Sequence, residues 1–278
     1  MSGRLATRMR SFSTIRSNDN NPLTVDQMMR VAPSIFAVVP HHTRSERYAY
    51  IPTSQVLAAL QHEGFQPFSV SQSRTRIADR HDYTRHLIRL RHVNDISNPE
   101  AAHEIAVLNS HDGTSSYQIL GGMFRYVCAN GLVCGDIEKD IRIRHKGNIM
   151  DDVVEGVYSV MERQKDVTAL VDSMRSLTLG VEERMILAEG ALALRFGEDA
   201  SPITTAQVLQ ARRNEDAGNS LWQVFNRVQE NVIQGGMDGR GKTGKIRKVR
   251  EITGMDQDTK LNRALWTLTA KMAELKAA

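Results

Sequence analysis

The chain has 278 residues, a formal net charge of +4 and only two cysteines. Its length and 41% hydrophobic content allow one large domain or two modest ones, each with a real core. Two thiols exclude a disulfide scaffold and no apolar run approaches membrane-spanning length, so the chain reads as a protein of a reducing cytoplasm with no membrane segment.

The positive charge is sorted along the chain. No lysine precedes Lys139, so every cation of the first half is arginine, and eight of the nine histidines precede Gly113. Arginine's planar fork suits phosphate and stacks on bases, which favours nucleic-acid or acidic partners; a compositional or solubility effect would look the same. Residues 1–22 carry Arg4, Arg8, Arg10 and Arg16 among Ser and Thr and read as a flexible basic arm, although organelle transit peptides begin similarly.

A short helix is predicted after Thr24 as N-cap, stopped by Pro33, and a second between Thr53 or Ser54 and Gly64. From Phe68 the apolar period becomes two, giving candidate strands at 68–76, 83–93 and 103–110 and a β-meander. In the middle strand Arg85, Leu87, Arg89 and Arg91 share one face, and His86, Ile88, Leu90 and His92 the other. Paired with Arg74 and Arg76 of the preceding strand, these arginines would line one sheet surface.

The stretch from Ser110 to Gly135 predicts a turn at His111-Asp112-Gly113, a helix over 115–129 and a helix stop at Asn130-Gly131. A short strand is predicted at Ile141-Arg-Ile-Arg-His-Lys. Beyond Asp151 the pattern is helical, with stripes at Val153 to Leu177, Leu221 to Val232 and Leu261 to Leu275. The fold class is therefore α+β: a basic arm over 1–22, an α+β domain over 23–150 with an antiparallel meander and flanking helices, and a helical region over 151–278 holding a basic Gly-rich loop at 235–250.

Gly236-Met-Asp-Gly-Arg-Gly-Lys-Thr243 satisfies the P-loop pattern letter for letter, but a P-loop needs a buried strand before it and a helix after it, and Ser220 to Gln234 has helical periodicity. A glycine-rich link between two helices fits better. That link is basic: Arg240, Lys242, Lys245, Arg247, Lys248 and Arg250 suit a phosphate backbone, or form a solvated loop. For metal, His86 and His92 would stand about 20 Å apart, and His41-His42 and His103 with His111 lack ligand spacing, so no metal site and no cofactor are expected. Cys128 or Cys134 could be assembled with His111 and Asp112 as a nucleophile, but nothing forces that assembly, and no catalytic residue is assigned.

Ser110-His-Asp-Gly-Thr-Ser-Ser-Tyr and Phe124-Arg-Tyr-Val-Cys-Ala-Asn-Gly-Leu-Val resemble an uncharacterised phage/plasmid-like family that includes the YfjQ and YafZ proteins of bacterial prophages. Trp222 with Asn226, Glu230-Asn231, Gly235-Gly236 and Leu261-Asn-Arg-Ala-Leu-Trp266 extend the resemblance over nearly all of residues 30–275. It implies a mobile-element setting in a bacterial cytoplasm and no established activity. The element order, a helix at 54–63, three antiparallel strands and a helix at 115–129, is also similar to that of single-strand-annealing recombinases of the Redβ, Erf and Sak types.

Together these features lead to the expectation of a non-enzymatic, homo-oligomeric protein that handles single-stranded DNA in recombination for a prophage or plasmid. Arg74, Arg76, Arg85, Arg89, Arg91 and Arg125 would meet phosphates, with Phe124 and Tyr126 stacking or packing and the 235–250 loop adding Arg240, Lys242, Lys245, Arg247 and Lys248. The rivals are a protein-binding modulator of host defence or replication, acting through the helical half, and a P-loop NTPase.

Overall fold

Seven antiparallel strands and seven helices organise the computed structural model, which describes residues 12–17, 21–45, 48, 50–96, 101–125, 130–133, 141–143, 149–197, 201–241 and 244–277; two further short strands form a separate hairpin. The helices and strands in chain order are β1 (Phe12–Arg16), α1 (Val25–Val31), α2 (Thr53–His62), β2 (Phe65–Ser73), β3 (His86–His92), β4 (Ala101–Asn109), β5 (Tyr117–Arg125), β6 (Asn130–Val133), β7 (Ile141–Ile143), α3 (Ile149–Ser176), α4 (Val181–Phe196), α5 (Thr205–Val208), α6 (Leu221–Gln234), β8 (Asp238–Arg240), β9 (Ile246–Lys248) and α7 (Met255–Ala277). The sheet runs β1-β2-β3-β4-β5-β6, with β7 also beside β5. The protein is thus α+β, a meander first and helices after it.

Alternation decides which side chains meet. Val70, Ile88, Leu90, Ile105, Val107, Tyr117 and Ile119 point to one face and pack with Met28, Ile35, Val56, Leu57 and Leu60 from the segments preceding β2. Val153, Val157 and Val160 from the first half of α3 complete that core. Gly156 permits the approach, because a Cβ there would stand 2.6 Å from the Ile119 side chain. The second half of α3, through Val171 and Met174, enters another core built on α4, α6 and α7. At 28 residues, α3 is about 42 Å long, enough to belong to both. The boundary expected near residue 150 falls at the start of this shared helix.

Helix starts follow local chemistry. Thr24 and Gln27 form a reciprocal capping box, as do Ser220 and Gln223. In α6 the buried face is wide, and Trp222 stacks on Phe225 at 5.7 Å between centroids while Phe225 meets Trp266 of α7 edge-on at 6.1 Å. Gln229 Nε2 donates to Asn262 Oδ1 at 2.8 Å across the same pair of helices. Of the family-like positions of the C-terminal half, Asn262 and Trp266 thus join α7 to α6, whereas Glu230 pairs with Arg213 and Asn231 donates to Val208 O and Gln210 O before α6.

Two expectations fail here. Residues 117–125 are a strand, paired to β4 from Ala101↔Arg125 to Leu108↔Gln118, and Asn130-Gly131 opens β6 rather than stopping a helix. Tyr117, Leu120 and Phe124 fit a helical stripe, but Tyr117, Ile119 and Met123 also alternate, and Gly121-Gly122 cost a helix about 1 kcal/mol each. The helix that supported the likeness to annealing recombinases is absent. Residues 12–16, expected within a flexible arm, instead pair with β2 as β1.

The third failure is the arginine face. Arg91 and Glu104 have no exposed surface and Arg89 only 4%, because the second face of the sheet is buried too. Arg91 Nε donates to Glu104 Oε1 at 3.1 Å and Arg89 Nη1 to Glu104 Oε2 at 3.2 Å. A bulge between Pro67 and Ser69 accompanies Phe68, whose ring lies 4.3 Å from the Arg91 guanidinium carbon. Register sets Arg16 opposite Ser69 and Ser69 opposite Arg89, so a third guanidinium joins the row. Burial pushes Arg16 down to about 10, Arg89 adding to the effect and Glu104 and Asp258 opposing it. Asp258, in the first turns of α7, is pushed up by burial while Arg89 and Arg16 draw it back.

A buried charge left without its partner costs about 3–5 kcal/mol. Glu104→Gln is therefore expected to lower unfolding free energy by at least about 3 kcal/mol in urea titrations. A loss under about 1 kcal/mol would mean that the arginines are held by something other than Glu104.

Candidate functional site

Three connections converge at one end of the sheet: the segment entering α2, the β2–β3 turn and the β4–β5 turn. They are stitched by main-chain bonds, His41 N to His111 O at 3.1 Å and His111 N and Asp112 N to Tyr83 O at 2.9 and 3.1 Å. Tyr48 OH donates to Ser110 O at 3.2 Å. The turn at Gly113, φ +78°, is as expected for glycine, and a Cβ there would strike Arg44 Nη1 at 2.1 Å. Asp112 Oδ1 accepts from Thr114 N and Oγ1, and Ser110 Oγ accepts from Ser115 N. The family-like block at 110–117 is thus a self-bonded turn, not a helix start.

Beneath these loops lies a buried polar network centred on Thr53, expected from sequence as a helix cap. Its Oγ1 is 2.9 Å from His86 Nε2, 3.1 Å from His111 Nε2 and 3.1 Å from Asn109 Nδ2. His86 Nδ1 faces the Thr84 carbonyl at 3.2 Å and Ser34 Oγ at 2.9 Å, and a carbonyl only accepts. The proton is therefore on Nδ1, and Nε2 accepts from the Thr53 hydroxyl. Ser34 Oγ in turn donates to Gln72 Oε1 at 2.7 Å, and Gln72 Nε2 donates to His81 O at 2.8 Å. With the Thr53 proton committed, its lone pairs take Asn109 Nδ2–H and His111 Nε2–H. A directed chain results: His111 to Thr53 to His86 to Ser34 to Gln72. Tyr117 OH closes the site by donating to Ile51 O, and burial pushes its phenol up.

The sequence-predicted cations separate into three sets. Arg89 and Arg91 are spent on Glu104 inside the protein. Arg74 and Arg76 are exposed beside the β2–β3 turn, with Arg74 Nε 3.3 Å from Ser13 Oγ, and half-buried Arg85 donates to Thr114 O at 2.9 Å. Arg240, Lys245, Arg247 and Lys248 stand exposed on the β8–β9 hairpin, with Lys248 paired to Asp238 at 2.9 Å. The side chains of Phe124 and Arg125, and residues Tyr126, Cys128, Cys134 and Lys242, lie outside the described residues.

The P-loop pattern begins at the C-terminus of α6 and runs into this hairpin, so it lacks the preceding strand and following helix that cradle phosphate. His41, His42 and Asp79 do come together, which spacing could not reveal because Asp79 lies 37 positions after His42.

Fold and site define an α+β protein with helices against an antiparallel sheet, an imidazole network sealed at one sheet end and a cationic hairpin on its helical part. Residues 40–266 match the family model described as "Domain of unknown function (DUF932)". The chain is 47% identical over 265 residues to UPF0380 protein YfjQ of Escherichia coli (strain K12), spanning 95% of this chain and 96% of that protein. It is 46% identical over 265 residues to UPF0380 protein YafZ of the same strain, with the same shares covered. The chain belongs to the DUF932 family. No solved structure matches it. Among the described residues, no helix is long and apolar enough to cross a membrane.

Burial holds His86 neutral, pushing it down to about 4 from 6.5, with the Thr84 carbonyl and Asp112 opposing. Between those values the unfolded chain binds a proton that the folded one refuses, so stability falls as pH falls from 6.5 to 4. The loss is about 3 kcal/mol across the window. Urea midpoints at pH 7 and pH 4.5 for wild type and His86→Gln check this; an equal acid-induced loss in both proteins would exclude His86 as its source.

Proposed function

We propose that the protein binds nucleic acid through its phosphate backbone, using the β8–β9 hairpin as the principal contact, and that single-stranded DNA is its target. One observation carries this reading: Arg240, Lys245, Arg247, Lys248 and Arg250 are exposed on and beside a short antiparallel ribbon whose Asp238 is paired with Lys248. Ile246, 65% exposed on the same ribbon, offers apolar surface to a base. The ribbon is anchored at its root, Arg240 N donating to Pro202 O and Gly236 N to Val249 O. Phosphate contacts of this kind position a protein without reading sequence. The exposed Arg74 and Arg76 add positive surface on the sheet, whereas Arg89 and Arg91 take no part.

Anisotropy titrations of labelled single-stranded and duplex oligonucleotides, each at several salt concentrations, test it. Removal of three contacts in Arg240→Ala/Lys245→Ala/Arg247→Ala is expected to reduce the log-log salt slope for single strands by about 2, from about 0.7 per phosphate. Because the three side chains are exposed, the melting temperature should not change. Duplex binding tighter than single-strand binding would replace the target; no salt-dependent binding of either, or an unchanged slope, would overturn the reading.

A further inference from the structure

His41, His42 and Asp79 are used by neither the buried network nor the hairpin. His41 Nε2 lies 3.1 Å and His42 Nδ1 3.6 Å from the same oxygen, Asp79 Oδ2. The three ligand atoms all fall within 4.8 Å of one another. A tetrahedral ion with bonds of about 2.0–2.1 Å sets its ligands about 3.3–3.4 Å apart, between those two separations. We propose that this cluster is a divalent transition-metal site of two imidazoles and one carboxylate, suited to Zn²⁺.

The surroundings fit a ligand set more than a passing surface contact. His41 is buried, packed edge-on against Tyr83 at 5.2 Å and tied by its backbone to His111, while His42 and Asp79 are exposed. The ion would thus have a fixed ligand beneath it and two open to solvent, leaving a position for water or a further ligand. His41 Nδ1 is 2.8 Å from Thr43 Oγ1, the partner through which a metal-bound imidazole holds its tautomer. In the structure Nδ1 accepts from Thr43 N at 3.4 Å and Nε2–H faces Asp79; on loading the tautomer changes, so that Nδ1–H donates to Thr43 Oγ1 and the Nε2 lone pair turns to the ion. The turn that carries Asp79 is held by Thr84 Oγ1 and Gln72 Nε2, both donating to His81 O. Mg²⁺ and Ca²⁺ prefer all-oxygen sets, so two imidazoles select against them.

The test uses full-length protein without a histidine tag, stripped with chelator and titrated with Co²⁺, whose visible bands report coordination, followed by displacement with Zn²⁺. One equivalent per chain is expected, with Zn²⁺ raising the melting temperature of wild type. His42→Ala and Asp79→Asn alter exposed side chains, so the metal-free variants should melt like wild type while affinity falls more than about tenfold. Absence of saturable one-to-one binding, or binding that both variants retain, would overturn the site.

Discussion

Glu104 gathers Arg89 and Arg91 where water does not reach, and much of the sheet is arranged around that fact. The residue sits on a central strand with its neighbours' guanidinium groups at 3.1 and 3.2 Å. Arg16 on the edge strand and Asp258 on α7 face the same row electrostatically. Three cations against two carboxylates leave the row nearly balanced. Desolvating such a group is costly unless every partner arrives, so the pairing of β1, the β2 bulge beside Phe68 and the first turns of α7 are all bound to one local requirement.

The consequence reaches the functional reading. Arginine alternating along a strand has the signature of a solvated cationic face, and in an open sheet it would be one. Here both faces are covered, so those charges maintain the interior, and among the cations that the sequence singled out the exposed ones stand on the β8–β9 hairpin and beside the β2–β3 turn. The opposite face ends in the Thr53 network, where His86 and His111 are ordered by hydroxyls and amides instead of by charge. Loops over that network also hold buried His41 and exposed His42 and Asp79. The sheet end is therefore built in layers: a sealed hydrogen-bonded floor, a fastened loop shell, and exposed imidazole and carboxylate groups above.

Much of this was legible in the chain. Period-two apolar runs located β2, β3 and β4 within a few residues, and the Thr24 cap and the α3, α6 and α7 stripes followed from side-chain chemistry. Burial of Arg89 and Arg91 was not, because a period-two pattern states which residues share a face and is silent on whether something covers it. Nor was β5: a segment with Gly121-Gly122 and apolar residues compatible with both periods is decided by its partner strands. Thr53 is expected to cap α2, but Pro52 holds that position without a side-chain cap bond, and Thr53 instead becomes a hub through His86, Asn109 and His111, more than thirty residues away. Cys128, Cys134 and Lys242, which carried the thiol and P-loop considerations, lie outside the described residues.

If charge balance at Glu104 is the governing constraint, removing all three charges together should cost far less than removing one. Urea unfolding of Arg89→Met/Arg91→Met/Glu104→Leu measures this directly, since Arg16 and Asp258 remain as one cation and one anion. Stability within about 1 kcal/mol of wild type, or above it, is the predicted result, because apolar replacement of buried ion clusters is often neutral or stabilising. A triple variant as destabilised as Glu104→Gln alone would contradict it.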